Sequence, residues 1–308
     1  MIQLPTVTAM MGLRIINPDD VAELSPKLKL YPFEKRDNPP TSKLTFAGKE
    51  SSFMAQPKGM AYWERLNTVI QREPVEERNR FFMAMLRSLG MEKGKSFKPN
   101  EHQSKILEAA ALVGEKMAMA NAFDHFKRGD VARYRDDSHW KWVIEADVPK
   151  QRGEHYDPLE ERAAYTYEAI ATSDAMVTKT PGVGSAYLGM YRDSDGVWLD
   201  GGKTYRLHVP PKPPAKQFWS VTLYDAATRS FVENETKVAE IGSRTNGLKQ
   251  NADGSVDLYF APAAPKGHES NWVQTAPGKA WFTYFRFYGP LEGVLNATWS
   301  LPDIERVK

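Results

Sequence analysis

The run Trp281-Phe282-Thr283-Tyr284-Phe285-Arg286-Phe287-Tyr288, closed by Gly289-Pro290, decides the fold of the C-terminal third of this chain. Successive side chains of a strand point to opposite faces, so Phe282, Tyr284, Arg286 and Tyr288 share one face and Trp281, Thr283, Phe285 and Phe287 the other. Phe218-Trp219-Ser220-Val221-Thr222-Leu223-Tyr224-Asp225 reads the same way. So does Ser255-Val256-Asp257-Leu258-Tyr259-Phe260, which follows the turn Asn251-Ala252-Asp253-Gly254. Further upstream, Tyr187 to Tyr191 and Val197 to Leu199 flank the hairpin signal Asp193-Ser194-Asp195-Gly196, and Tyr205 to Val209 adds another strand. Short period-two runs separated by Gly, Pro and Asp turns predict an antiparallel β-sandwich or barrel.

Before this region the period changes to helical. Met60, Trp63, Leu66, Asn67 and Ile70 lie on one face of a helix ending before Pro74. Pro74 fits the first turn of a second helix, carrying Phe81, Phe82, Met85, Leu86 and Leu89 and stopping at Gly90. Asn100 is the expected N-cap of a long helix burying Ile106, Leu107, Ala110, Val113, Met117 and Ala120. Asp157-Pro158-Leu159-Glu160 reads as a cap and first turn, leading to a helix with Ala163, Ala164, Tyr167 and Ile170 inside. At the N-terminus, Val7 to Ile16 reads as an apolar strand, and residues from about Tyr31 to Pro57 as an extended connector. The expected organisation is residues 1–56, a strand and connector; 57–178, a helical region; and 179–308, the β-sandwich.

Composition narrows the function classes. The 308 residues carry 41 basic and 39 acidic side chains, a net charge of +2, so no whole-chain field points to nucleic acid. No apolar run approaches the roughly twenty residues that span a bilayer. Cysteine is absent, which removes thiol nucleophiles and Cys-ligated metals. The six histidines, His102, His125, His139, His155, His208 and His268, show no metal-ligand spacing, so neither metal nor cofactor is expected. Ser185 and Ser220 lack the Gly-x-Ser-x-Gly frame of an exposed nucleophile. Gly182-Val183-Gly184 lacks the Lys-Ser/Thr ending of a phosphate loop and reads as a turn. His155-Tyr156-Asp157 offers an acid, a base and a phenol, but Asp157 is accounted for as a helix cap. No catalytic residue can be named from these patterns.

The strongest binding candidate is Arg286, an arginine sharing a strand face with Tyr284 and Tyr288. It can stack on those rings, pair with a carboxylate such as Asp225 or Asp257, or hold an anionic ligand. Trp219, a ring able to cover a sugar face, and the loop cations Lys203 and Arg229 complete the candidate set. The bland alternatives are a structural ion pair for Arg286 and core packing for Trp219, Trp272 and Trp281.

Several stretches together carry a family resemblance. They are Thr178-Lys179-Thr180-Pro181-Gly182-Val183-Gly184, Trp198-Leu199-Asp200-Gly201-Gly202-Lys203-Thr204-Tyr205-Arg206-Leu207, Pro214 to Asp225, Asn251 to Phe260 and Tyr284 to Pro290. From about Ser185 to Lys308 the chain resembles the bacterial family named domain of unknown function 1214, which usually follows a domain of unknown function 1254. The helical stretch before it resembles the segment joining the two. Typical members begin with an export signal and a complete N-terminal β-domain. Here no signal peptide is visible, and the chain reads as a shortened member keeping only a strand like that domain's last. The resemblance implies a bacterial envelope or periplasmic setting and jelly-roll-like sandwiches with helices between, and no established reaction. The expected fold is therefore α+β, a helical middle region followed by a C-terminal antiparallel jelly-roll-like β-sandwich. The expected function is binding of a small-molecule polar ligand or glycan where helices meet the sandwich. A hydrolase acting on carbohydrate or ester substrates, and an assembly module forming a homo-oligomer through an exposed strand edge, stay open as alternatives.

Overall fold

The computed structural model describes residues 6–8, 15, 17–41, 55–124, 133–144, 152–169 and 180–307. The strand expected over Val7 to Ile16 falls mostly outside them, as does Ile170. The chain divides into two compact units, Met1–Phe53 with Pro57–Val113, and Met54–Gln56 with Gly114–Lys308. Six α-helices occur among the described residues: α1 (Val21–Leu24), α2 (Met60–Arg72), α3 (Arg80–Ser88), α4 (Glu101–Phe123), α5 (Leu159–Glu168) and α6 (Glu292–Leu295). Nine strands accompany them: β1 (Lys141–Trp142), β2 (Ser185–Met190), β3 (Tyr205–Val209), β4 (Ala215–Asp225), β5 (Glu240–Gly242), β6 (Val256–Ala261), β7 (Trp272–Gln274), β8 (Trp281–Pro290) and β9 (Glu305–Arg306). Mixed helices and sheets make the fold α+β.

In the first unit, local chemistry sets the helix ends. α2 ends at Arg72, and Glu73, the residue before Pro74, is extended, as proline disfavours helical backbone in its predecessor. Lys93 Nζ then donates to the carbonyls of Ile70, Gln71 and Glu73, at 3.1, 3.1 and 2.7 Å, placing a cation on the helix C-terminus. Pro74 does not open α3, as its ring would allow. Glu76 is extended, a 3-10 turn follows at Glu77–Asn79, and α3 begins only at Arg80. Gly90, at φ 85°, ends α3 with Gly90 N–H on Arg87 O and Met91 N–H on Leu86 O. At α4, Asn100 Oδ1 accepts the Gln103 N–H while Gln103 Oε1 accepts the Asn100 N–H, both at 2.9 Å. This reciprocal box is the cap expected from Asn100. Trp63 Nε1 donates to Leu107 O at 2.7 Å, tying α2 to α4.

The second unit contains two sheets. One has the order β1-β2-β8-β4-β5 with every pairing antiparallel; the other has the order β7-β6-β3-β9. The expectation of an antiparallel body holds except at β6 and β7, which run parallel. The hairpin after β2 forms where expected. Asp193 Oδ1 accepts the N–H groups of Asp195 and Val197, and Gly196 turns the chain at φ 75°. Leu188, Val221, Leu223, Phe285 and Phe287 of the first sheet share one core with Leu207, Val209, Leu258, Phe260 and Val273 of the second. The two sheets therefore pack through these alternating residues. The outer face of the five-stranded sheet carries a second core: Phe282 and Tyr284 meet Phe123 at the end of α4 and Ala164, Tyr165 and Tyr167 of α5. β8 is therefore covered on both faces along much of its length.

Among the described residues no helix is long and apolar enough to cross a membrane. No group of three or more His, Asp or Glu side chains among them is placed to hold a metal ion.

Candidate functional site

The outer face of the five-stranded sheet collects the unit's conspicuous polar chemistry, and register explains how. Arg286 of β8 lies opposite Tyr187 of β2 and Ser220 of β4; Tyr288 lies opposite Phe218. Glu240 of β5 lies opposite Thr222. Under α5, Glu168 is buried. Its Oε1 accepts hydrogen bonds from the hydroxyls of Tyr284, at 2.6 Å, and of Tyr191. Its Oε2 lies 3.6 Å from Lys141 Nζ, and each of these two side chains is 2% exposed. Lys141 Nζ also donates to Ala122 O at 2.7 Å and sits 4.2 Å from the Tyr191 ring centroid. Burial, and then the Glu168 charge, hold the Tyr191 and Tyr284 phenols well above their ordinary pKa. Both therefore stay protonated donors to the carboxylate. A carboxylate so fully engaged fixes α5 and β1 to the sheet rather than offering itself to a substrate.

Beyond α5 the same face becomes more open. Arg286, whose side chain is 16% exposed, is flanked by the rings of Tyr187 and Tyr288, with centroids 5.4 and 5.6 Å from its guanidinium carbon. Its Nη1 lies 3.5 Å from Thr222 Oγ1 and 3.6 Å from Glu240 Oε2. Its Nε is buried and makes no hydrogen bond among the described residues. Tyr288 stacks on Phe218 at 3.9 Å between centroids, and the Arg244 guanidinium carbon sits 4.1 Å from the Phe218 ring centroid. Burial lifts Tyr224 to about 12, with Arg286 opposing the shift.

The structure thus gathers part of the expected set. Arg286, Tyr284 and Tyr288 share the outer face, with the Tyr284 hydroxyl committed to Glu168. Arg229 lies beside α5, its guanidinium carbon 4.1 Å from the Tyr167 ring centroid and its Nη2 donating to Gln56 Oε1 at 3.0 Å. Trp219 points the other way, into the core between the sheets, stacked on Phe285. Lys203 is exposed in the turn after Asp200, whose carbonyl accepts its N–H. The nearby carboxylate of Arg286 is Glu240, not Asp225 or Asp257. Asp225 caps its own turn by accepting the N–H groups of Ala227 and Thr228, and Asp257 accepts from His208 and Asn251 on the other sheet.

Two further clusters went unread in the sequence. Ser138, His139 and Asp303 converge: Asp303 accepts the Ser138 hydroxyl at 2.8 Å and lies 2.6 Å from His139 Nδ1. A nucleophilic triad needs the serine on the histidine; here both residues address the carboxylate. This arrangement anchors the loop before β1 to the C-terminal segment. On the outer face of the four-stranded sheet, His208 Nδ1 and Asp257 Oδ1 are 2.8 Å apart, and Asn251 holds the other carboxylate oxygen. Sequence separation hid these groupings: Glu168 lies 23 residues from Tyr191 and 116 from Tyr284, and Asp303 lies 164 from His139.

No curated protein matches the sequence. The VPA0106 protein from Vibrio parahaemolyticus is similar at 21% identity and a TM-score of 0.41, over 88% of this chain and 59% of that one. An uncharacterized protein from Burkholderia cenocepacia is similar at 13% identity and a TM-score of 0.29, over 75% of this chain and 50% of that one. The chain therefore spans between half and three fifths of the solved relatives' length. Residues 184–292, the stretch from the start of β2 to the start of α6, match the family model described as Protein of unknown function (DUF1214).

Proposed function

We propose that the protein binds a small polar ligand at the outer face of the five-stranded sheet, with Arg286 holding the ligand's anionic group. The observation that carries this reading is Arg286 itself. A guanidinium set between two tyrosine rings, with Nε lacking a hydrogen bond, retains capacity for a planar acceptor. A buried donor left unsatisfied costs about 1–3 kcal/mol, so a ligand that supplies an acceptor recovers part of that cost. Tyr187, only partly buried, offers a flat apolar surface beside the charge, suited to a ring-bearing ligand, a sugar included. The Glu168 carboxylate, committed to two phenols and Lys141, favours binding over hydrolysis as the role of this face.

The test is a thermal-shift screen of the protein and of Arg286→Met against carboxylates, phosphates and sugars. A specific ligand at a hundred times its dissociation constant adds about 2.7 kcal/mol of stability, which a melting curve resolves. The expected result is a hit among anionic compounds that disappears in Arg286→Met. A panel without a hit, or a hit that both proteins share, refutes the reading.

A further inference from the structure

Glu240 occupies the position that a ligand's anion would take. Its Oε2 accepts the Thr222 hydroxyl at 2.8 Å and the Ser220 hydroxyl at 3.0 Å, and lies 3.6 Å from Arg286 Nη1. The two hydroxyl residues are 2% exposed or less, while the Glu240 side chain is 49% exposed. Two hydroxyl donors on β4 and the Arg286 cation on β8 thus converge on one oxygen brought by a half-exposed side chain from the edge strand. A surface carboxylate ordinarily makes loose, solvent-competed pairs worth little. Here the hydroxyl donors are buried positions of a central strand and the acceptor is a half-exposed side chain of the edge strand, so the acceptor is the part that can be exchanged.

We infer that Glu240 is a built-in stand-in for a ligand carboxylate, and that the Arg286 site takes a monocarboxylate on a flat body by displacing it. This deepens the binding reading above and rests on it. The charge at the site points to a monocarboxylate: one guanidinium and two neutral hydroxyls balance one negative charge. The partly buried ring of Tyr187 beside the guanidinium carbon supplies the surface that a flat body would lie against. Because the free protein holds its own carboxylate in place, the apparent affinity is the intrinsic affinity reduced by the fraction of molecules with Glu240 swung out.

The experiment titrates benzoate by calorimetry into the wild-type chain, Glu240→Ala, Glu240→Gln and Arg286→Met, with acetate and inorganic phosphate as comparison anions. The expected result is measurable benzoate binding to wild type, at least about tenfold tighter binding to Glu240→Ala, a smaller gain in Glu240→Gln, and none in Arg286→Met. Benzoate should exceed both acetate and phosphate. Equal or weaker binding to Glu240→Ala overturns the displacement while leaving an Arg286-dependent hit in the wider screen intact. Binding to Glu240→Ala alone, with none to wild type, shows a hole made by the substitution and also overturns it. Phosphate binding better than benzoate overturns the ligand class. No binding to any folded variant, together with an empty wider screen, removes the binding reading as well.

Discussion

Replacing Glu168 by leucine tests whether the carboxylate under α5 is a structural anchor. The substitution puts an apolar side chain of similar size in its place but removes the acceptor of two phenols and the counter-charge of Lys141. Breaking a buried ion pair from one side costs about 3–5 kcal/mol, because the remaining charge stays out of water. Lys141 meets that condition at 2% exposure, although Ala122 O still accepts from it. The two phenols add to the cost, since each buried hydroxyl left without an acceptor costs about 1–3 kcal/mol, part of which local rearrangement recovers. The expected loss is about 4–6 kcal/mol, comparable to the whole stability of a marginal domain. Lys141→Met in the same background removes the stranded charge. The double variant should therefore be more stable than the sum of the single losses predicts, by about 2–3 kcal/mol. Urea unfolding followed by tryptophan fluorescence measures this well. Seven of the eight tryptophans lie at or after Trp140, within the second unit. A loss below about 1 kcal/mol for Glu168→Leu, or additivity of the two substitutions within about 0.5 kcal/mol, would refute the anchor.

Three more outcomes are expected. Burial first, and the Glu168 charge for Tyr191 and Tyr284, raise the folded pKa values of Tyr191, Tyr284 and Tyr224 above the unfolded value near 10. The folded state then keeps protons the unfolded chain releases, so this stability is intact below pH ~10 and falls above it, by about 1 kcal/mol per phenol between pH 10 and 11. A urea midpoint that stays flat from pH 9 to 11 would contradict this. Asp257 is shifted the opposite way: burial raises its pKa, but the bonds from Asn251 and His208 outweigh that and lower it. Its contribution is present above the unfolded carboxylate pKa and lost as pH falls through the lower folded value, so Asp257→Asn should flatten the acid limb of a melting-temperature profile; an unchanged limb speaks against it. Gly242→Ala would place a methyl against Trp219 O and 2.7 Å from Ser220 Cα, forcing β5 away from β4 at a cost of about 1–3 kcal/mol. Melting at the wild-type temperature would show that β5 yields without cost.

How much of this was legible follows from the range of each signal. Alternation is local, so β8, β4 and β6 could be read from consecutive residues, as could the Asn100 cap of α4 and the Gly196 turn. Strands of two or three residues, β1, β5, β7 and β9, are too short to show a period and exist because a longer neighbour pairs with them. Pro74 satisfied the rule for a first helical turn, yet the chain uses it to stop α2, and Val75 and Glu76 lead into the 3-10 turn before α3. At the site, strand alternation placed Arg286 with Tyr284 and Tyr288 but could not name the carboxylate facing it. Glu240 reaches Arg286 only through the β4–β5 register, across a three-residue strand without a sequence signature. Trp219 shows the complementary error. Its face followed from alternation, but which face carries the core depends on the second sheet.

The two faces of β8 show how one strand separates stability from chemistry. Trp281, Phe285 and Phe287 are spent on the core between the sheets. On the other face, Phe282 and Tyr284 lie in the core beneath α5, where Glu168 engages the Tyr284 phenol. Only two residues further along, at Arg286, does the acceptor change from a buried carboxylate on a helix to a half-exposed one on an edge strand. Charge and aromatic surface occur at both places, so composition does not distinguish them. Exchangeability does: Glu168 cannot leave without stranding Lys141, whereas half-exposed Glu240 can give up its place to a ligand carboxylate that takes over the same donors. A ligand should therefore compete at Arg286 and not at Tyr284, and the variants Glu240→Ala and Glu168→Leu should separate binding from folding.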